Sequence, residues 1–279
     1  MIRNVGLIGC GTIGSELAHV IDSGKIKKAA LVSLYDEVEN VVVELKSKLQ
    51  NKNTATFSNF SQFLSSHAFA NADIIIEAAS QDAVKKFAKT MIQSGKDLIV
   101  MSVGALAEPE LLQELLDIAS KKEVHIYVPS GAVAGIDAIR SVKHLLNSVT
   151  ITTTKNPKAL AGAPFFEKTR IKPETITQKK LIYEGTAKDA VKQFPANVNV
   201  AAVISLAGVG MDETKVKIIA DPAISVNQHE ITAKGKFGEI KIVLQNTPSP
   251  SNPKTSYLAV LSAVECLRSI SDDNIRIGT

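Results

Sequence analysis

Apolar positions in the first half of the chain recur in two alternating rhythms. Val5-Gly6-Leu7-Ile8 is a short apolar run. Ile13, Leu17, Val20 and Ile21 then follow at helical spacing, with Gly24 as a stop. The alternation repeats. Strand-like Ala29–Tyr35 precedes helical Val38–Leu49, and a short strand is expected at Asn53–Phe57. The buried run Ala72–Ala78 precedes a helix over Gln81–Ser94 capped by Gly95, and Asp97–Met101 precedes a helix from Pro109 to Lys121. Val124–Val128 reads as one more strand. Such alternation predicts parallel pairing with right-handed crossovers, because parallel neighbours need a long return path.

The rhythm changes near residue 130. Asp137–Leu146 reads as helix, Val149–Thr154 as a β-branched strand, and residues 156–178 as loop around Pro157, Gly162, Pro164 and Pro173. Helices are expected over Lys188–Phe194 and Asn197–Ala207. Strands follow at Lys215–Ala220, Val226–Ala233 and Glu239–Leu244, the last two joined by a turn framed by Gly235 and Gly238, hence an antiparallel hairpin. A last helix spans Thr255–Arg268. The expected architecture is α/β. Residues 1–130 form a dinucleotide-binding domain on a parallel sheet. Residues 131–253 form a mixed α+β domain, mainly antiparallel, for substrate and dimerisation. In 254–279 a helix returns to the first domain.

Composition agrees with this division. At about 150 residues per domain, 279 residues suggest two. A chain that is 45% hydrophobic and 22% charged is not intrinsically disordered. With 5% aromatics and no Trp, the core must rest on Ala, Val, Ile and Leu. The net charge of +4 comes from scattered residues such as Lys85 and Lys86, which read as a solvated surface and not as a nucleic-acid stripe. Cys10 and Cys266 give neither a disulfide framework nor a metal spacing. The sequence has no apolar run long enough to span a membrane and no secretory leader, so a cytoplasmic protein is expected.

Candidate chemistry begins at Gly9-x-Gly11-x-x-Gly14, which follows a strand and opens a helix. Asp36 ends the next strand, and that whole context is the dinucleotide fingerprint of a Rossmann domain. Gly9 permits the tight turn, Gly11 the approach of pyrophosphate, and Gly14 close helix packing. The helix start at Thr12 and Ile13 offers N–H groups to an anion. Asp36 can accept bonds from both ribose hydroxyls and repels a 2′-phosphate. Glu37 adds to that repulsion, and no Arg stands nearby. NAD is therefore favoured, with NADP use left open. After the next strand, Ala79 and Ser80 either make room for ribose and nicotinamide or simply turn the chain.

On the substrate side, Asn199 can anchor a carboxamide or substrate, and Asn197 is a candidate substrate contact that taken alone reads better as a helix cap. Lys254, before the expected last helix, either binds a carboxylate or is solvated. Alternation places Asn227, His229 and Ile231 on one strand face. A lone strand histidine is commonly structural, yet its intrinsic pKa suits proton transfer.

Taken together, the glycine motif, Ser130-Gly131-Ala132, Asn197-Val198-Asn199-Val200-Ala201-Ala202, Ala220-Asp221-Pro222 with Asn227-x-His229, and Asn252-Pro253-Lys254-Thr255-Ser256 resemble the L-aspartate dehydrogenase family. The resemblance covers essentially the whole chain. It implies a catalytic role for His229, cofactor contacts at Ala132 and Asn199, and NAD-linked oxidation of L-aspartate to iminoaspartate. It further implies a supply of that product to NAD biosynthesis. A homodimer, no metal, no nucleic acid and no membrane partner complete the expectation. The rival readings are a related reductase, dihydrodipicolinate-reductase-like or homoserine-dehydrogenase-like, and a noncatalytic NAD sensor. The paired-His motif of the first reductase is not evident.

Overall fold

The computed structural model describes residues 1–195, 198–249 and 252–272. They gather into two compact units, Met1–Pro129 with the last helix from Val260, and Ser130–Ala259.

The first unit runs β1 (Arg3–Ile8), α1 (Thr12–Asp22), β2 (Ala29–Tyr35), α2 (Glu39–Lys48) and β3 (Ala55–Phe57). Two short helices follow, α3 (Phe60–Ser65) and α4 (His67–Asn71), then β4 (Ile74–Glu77), α5 (Gln81–Gln93), β5 (Asp97–Val100), α6 (Pro109–Lys122) and β6 (Ile126–Tyr127). The strands pair in parallel in the order β3-β2-β1-β4-β5-β6. That is the doubly wound Rossmann order, and the order reverses between β1 and β4, where such sheets bind ligands. Ile74, Ile75 and Ile76 are all fully buried, which explains the unbroken apolar run of β4 in place of alternation.

One core cluster joins Leu7, Leu17, Ile21, Leu34 and Leu45 to Ala263, Val264 and Leu267 of the last helix. Fully burying a Leu or Ile contributes about 1.5–3 kcal/mol, so these contacts hold helices to the sheet. A second cluster is aromatic: Tyr35 stacks on Phe63, and Phe60 meets Phe87 at 4.0 Å between ring centroids. The chain on both sides of Ser66 is helical; Asn59 and Ser66 cap the two short helices by accepting from Gln62 N–H and Phe69 N–H.

The second unit contains α7 (Ile136–Ser141), β7 (Leu146–Lys155), α8 (Pro157–Leu160), α9 (Pro164–Thr169), β8 (Lys180–Thr186), α10 (Ala187–Gln193) and α11 (Asn199–Ala207). It continues through β9 (Lys215–Ala220), β10 (Asn227–Gly235), β11 (Gly238–Asn246), β12 (Pro248–Ser249) and β13 (Asn252–Ser256) into α12 (Tyr257–Ser271), the last helix. Its main sheet has the order β11-β10-β7-β9-β8. The hairpin forms as expected, with Gly235 opposite Gly238. The sheet is mixed, because β7 and β9 are parallel while the other pairs are antiparallel.

Several expectations move. The proline-containing stretch after Asn156 holds two short helices, each with Pro at its first turn, where a missing N–H does no harm. Strand β8 was not foreseen. The last helix starts at Tyr257 and not at Thr255, because Asn252–Ser256 pairs with β12 as a strand.

Candidate active site

The glycine loop leaves β1 and enters α1 beside the ends of β2 and β4. Two of its glycines are required by the protein itself. A Cβ on Gly9, which has φ +95°, would lie 2.7 Å from the Ala78 carbonyl oxygen. A Cβ on Gly14 would strike the Gly9 carbonyl oxygen at 1.9 Å. Gly11 is different. Its backbone is extended, with φ −68° and ψ −163°, and a Cβ there would meet nothing within 4 Å. Neither conformation nor packing demands glycine at that position. Bare backbone at a helix start is what a pyrophosphate needs, so the loop fits a dinucleotide. Thr12 and Ile13 form the first turn of α1, which carries no side-chain cap.

A cleft of about 330 Å³ opens beside this loop, lined by Gly9, Tyr35, Asp36, Val38, Ala79, Ser80 and Lys86, among others. Asp36 Oδ2 accepts from Cys10 N–H at 2.8 Å and Oδ1 from Val38 N–H at 3.0 Å. The carboxylate is thereby aimed at the loop, and its remaining lone pairs suit a ribose diol. Glu37 does not act as an unopposed second negative charge. Its Oε1 lies 2.6 Å from Lys86 Nζ, so the repulsion expected from it is offset by a lysine of the same cleft. Ser80 lines the cleft, yet its hydroxyl accepts from Ala83 N–H as the cap of α5. The Cys10 thiol is pushed up to about 12 by burial and then by Asp36, so it is no nucleophile.

Glu77, at the end of β4, was hidden in the sequence inside an apolar run. It is 2% exposed. Its Oε1 accepts from Ala79 N–H and Ser102 Oγ–H, both at 2.8 Å, and its Oε2 accepts from Ser102 N–H at 3.0 Å. One carboxylate therefore pins the two loops that follow β4 and β5. Burial outweighs those bonds and holds the carboxyl above its ordinary range. The folded state consequently keeps this proton more tightly than the unfolded chain, and this group's contribution to stability falls as pH rises above the ordinary carboxylate range. Glu77→Gln would turn an amide NH2 toward backbone donors on one side. Urea unfolding should show a loss of about 1–3 kcal/mol, together with weaker NAD binding. Unchanged stability and affinity would contradict the pinning role.

In the second unit, His229 is 1% exposed on β10, opposite Thr153 of β7. Its Nδ1 lies 3.0 Å from Thr153 Oγ1. Burial, reinforced by the positive charge of Lys155, pushes its pKa down to about 3. The imidazole is therefore neutral at neutral pH, the form that accepts a proton. Asn227, Asn246 and Ser256 are buried with it in the same unit. Asn227 Nδ2 donates to Ser256 Oγ at 3.2 Å, and Asn246 Nδ2 donates to the Ala132 carbonyl at 2.7 Å. The Ser130–Ala132 turn is thus tied to the strand beside β10.

Lys155, the last residue of β7, was missed by sequence reasoning. It is 5% exposed, and burial pushes its pKa down to about 8. Its only sequence signal is a lysine closing a β-branched run. Asn199 is the first residue of α11, after Val198 at the cap position. Asn197 lies outside the described residues. Lys254 sits by its backbone in β13, three residues before α12, so the expected helix start beside it is not there; its side chain lies outside the described part.

Comparison with known proteins fits both units. The model of the aspartate dehydrogenase C-terminal domain matches residues 137–270, and that of the homoserine dehydrogenase NAD-binding domain matches residues 9–129. An L-aspartate dehydrogenase of Nitrosopumilus maritimus is 46% identical over 278 residues, covering 100% of both chains. One from Methanosarcina barkeri is 48% identical over 99% of both. Among solved structures, aspartate dehydrogenase from Thermotoga maritima superposes with a TM-score of 0.75 at 26% identity, covering 100% of both chains. With relatives this similar over its full length, and a Rossmann unit followed by a mixed-sheet unit, the chain belongs to the L-aspartate dehydrogenase family.

Proposed function

We propose that the protein oxidises L-aspartate at its α-carbon, forming iminoaspartate, which hydrolyses to oxaloacetate and ammonia. The reading rests on family membership and, within the molecule, on one observation: a neutral imidazole buried on β10 among amide and hydroxyl groups. NAD supplies the hydride acceptor when bound. Gly11, Thr12, Ile13 and Asp36 are the residues that would hold it in the first unit, beside Ala79 and Ser80, with Ala132 and Asn199 as further contacts. NADP remains a second, weaker cofactor in this reading.

An ammonium group has no lone pair to drive departure of hydride from Cα, so the amine must first lose a proton. His229 takes that proton. In the tautomer that carries its proton on Nδ1, Thr153 Oγ1 accepts that N–H and the Nε2 lone pair is left to act as the base. A pKa of about 3 is low for this task, and the substrate corrects it. A carboxylate about 5 Å away is worth roughly 3 kcal/mol at an effective dielectric of about 20, or about 2 pKa units. The dicarboxylate thus raises the basicity of its own catalyst.

The domain roles belong to the same proposal: residues 1–130 bind dinucleotide, 131–253 bind substrate, and 254–279 contribute the closing helix. So do a cytoplasmic setting, a homodimer and a contribution of iminoaspartate to NAD biosynthesis. For the dimer, the edge strand β11 is a natural pairing surface, with Val243 69% exposed.

The test is NADH formation by purified protein from L-aspartate, with D-aspartate, L-glutamate and L-homoserine as controls. Turnover restricted to L-aspartate is expected. Turnover of another amino acid in its place would reassign the substrate, and no turnover on any of them would leave only an NAD-binding protein.

A further inference from the structure

A dicarboxylate cannot enter a buried pocket without cations or several donors to meet it. Lys254 was the sequence candidate for that role. The second unit also holds Lys155, buried in the sheet that carries His229. Lys155 lies two residues beyond Thr153 on β7, so alternation turns the two side chains to one face of the sheet. Thr153 is the residue bonded to His229, and Thr154 pairs with Gln228. Continuing that register sets Lys155 across from Asn227, on the same side as the imidazole. We propose that Lys155 is the cation that holds a carboxylate of the substrate beside His229. The inference rests on reading this site as an aspartate site.

The surroundings favour a ligand role over a merely solvated lysine. At 5% exposure the lysine lies within the buried face of the sheet and not in bulk solvent. Lysine and histidine share one buried face, and Lys155 already disfavours the charged imidazole. Both groups therefore gain from an anion placed between them, and both lose nothing of their neutral-pH form before it arrives. Asn227 and Asn246 add amide groups around the same strand ends. The titratable groups nearest Lys155 along the paired strands are His229 on β10 and Asp221, whose N–H donates to the Lys155 carbonyl at 2.9 Å just after β9. Asp221 itself accepts from Ala223 N–H at 2.9 Å, which closes its own turn.

The test uses Lys155→Met and Lys155→Arg in the full chain, with thermal melting and NAD titration confirming that each folds and binds cofactor. K155M should raise the KM for L-aspartate about 10- to 100-fold, the range of a lost charge-assisted bond, with a smaller change in kcat. K155R, a carboxylate ligand that cannot serve as a base, should recover most of that loss. L-Asparagine locates the contact. If Lys155 holds the β-carboxylate, K155M narrows the preference for L-aspartate over L-asparagine; if it holds the α-carboxylate, both substrates weaken together. A second measurement needs no variant. Succinate has two carboxylates and no amine, so its inhibition constant above neutral pH reports on the protein alone. It should be flat below pH 8, where Lys155 is charged, and climb toward tenfold per pH unit above about 8.

An unchanged KM in K155M, a loss of kcat at constant KM, or a succinate profile that shows no rise up to a unit above the ordinary lysine pKa of about 10.4 would overturn the proposal. Those results differ from failure of the functional reading, in which the wild-type protein itself would not turn over L-aspartate. Should K155M not fold, the wild-type succinate profile decides.

Discussion

Replacing His229 by Ala is expected to lower kcat for L-aspartate oxidation by about 10²- to 10⁴-fold, while NAD affinity stays within about twofold of wild type on the same argument of local action. The asymmetry follows from placement. His229 belongs to the second unit, on β10, while the glycine loop and Asp36 belong to the first. The ring is bonded to Thr153, so its removal takes away the proton acceptor and leaves that hydroxyl without its ring partner. A cavity at a fully buried site also costs stability, so melting must accompany the kinetics. His229→Gln fills most of the volume and keeps a polar contact for Thr153, yet it cannot take a proton. It should fold better than H229A and be equally slow. Recovery of turnover in H229Q would show that the imidazole serves packing and not chemistry.

The second large effect is expected at Asp36. Removal of its charge should shift the ratio of kcat/KM values for NAD and NADP about 10- to 100-fold toward NADP. A carboxylate about 5 Å from a doubly charged phosphate is disfavoured by roughly 2 kcal/mol in a water-like medium and by more in a partly buried cleft. Two variants separate charge from architecture. Asp36 also accepts from Cys10 N–H and Val38 N–H, so Asp36→Ala loosens the loop and should weaken both cofactors. Asp36→Asn keeps an acceptor and a similar shape, so the preference should move with less overall loss. Lys86, in the same cleft, is already paired with Glu37 and limits how far the balance swings. An unaltered cofactor ratio in both variants, measured by initial rates with each nucleotide, would contradict the assignment of Asp36 to the ribose.

The parts legible in the sequence share a physical character: each is local. The fingerprint is read from a strand, a turn and a helix within a few residues, and Gly9 and Gly14 occupy the positions where a Cβ would collide with backbone. The parallel alternation of the first unit and the Gly235–Gly238 hairpin are likewise short-range. The face of β10 was also visible, because Asn227, His229, Ile231 and Ala233 are all buried and their neighbours are less so.

What stayed hidden depends on partners distant in the chain. Strand β8 is an edge strand with Leu181 47% exposed, so it has no clear apolar face to betray it. Asn252–Ser256 looks like a helix entry until its pairing with Pro248–Ser249 makes it a strand. Lys155 resembles any lysine after a strand, and only the sheet around it removes its water. Glu77 sits in a run of isoleucines and is recognised as a clamp once Ala79 and Ser102 come to it. Burial of a charge is a tertiary property, and Glu77 and Lys155 are both buried charges.

The central claim is that a hydrogen leaves Cα of L-aspartate and appears on the cofactor. The most direct measurement follows L-aspartate deuterated at Cα through a single turnover with NAD, with mass analysis of the reduced nucleotide and of the solvent. The account predicts one deuterium retained in NADH and none released to water. Deuterium found in the solvent, with NADH unlabelled, would mean proton abstraction at Cα and would contradict the account.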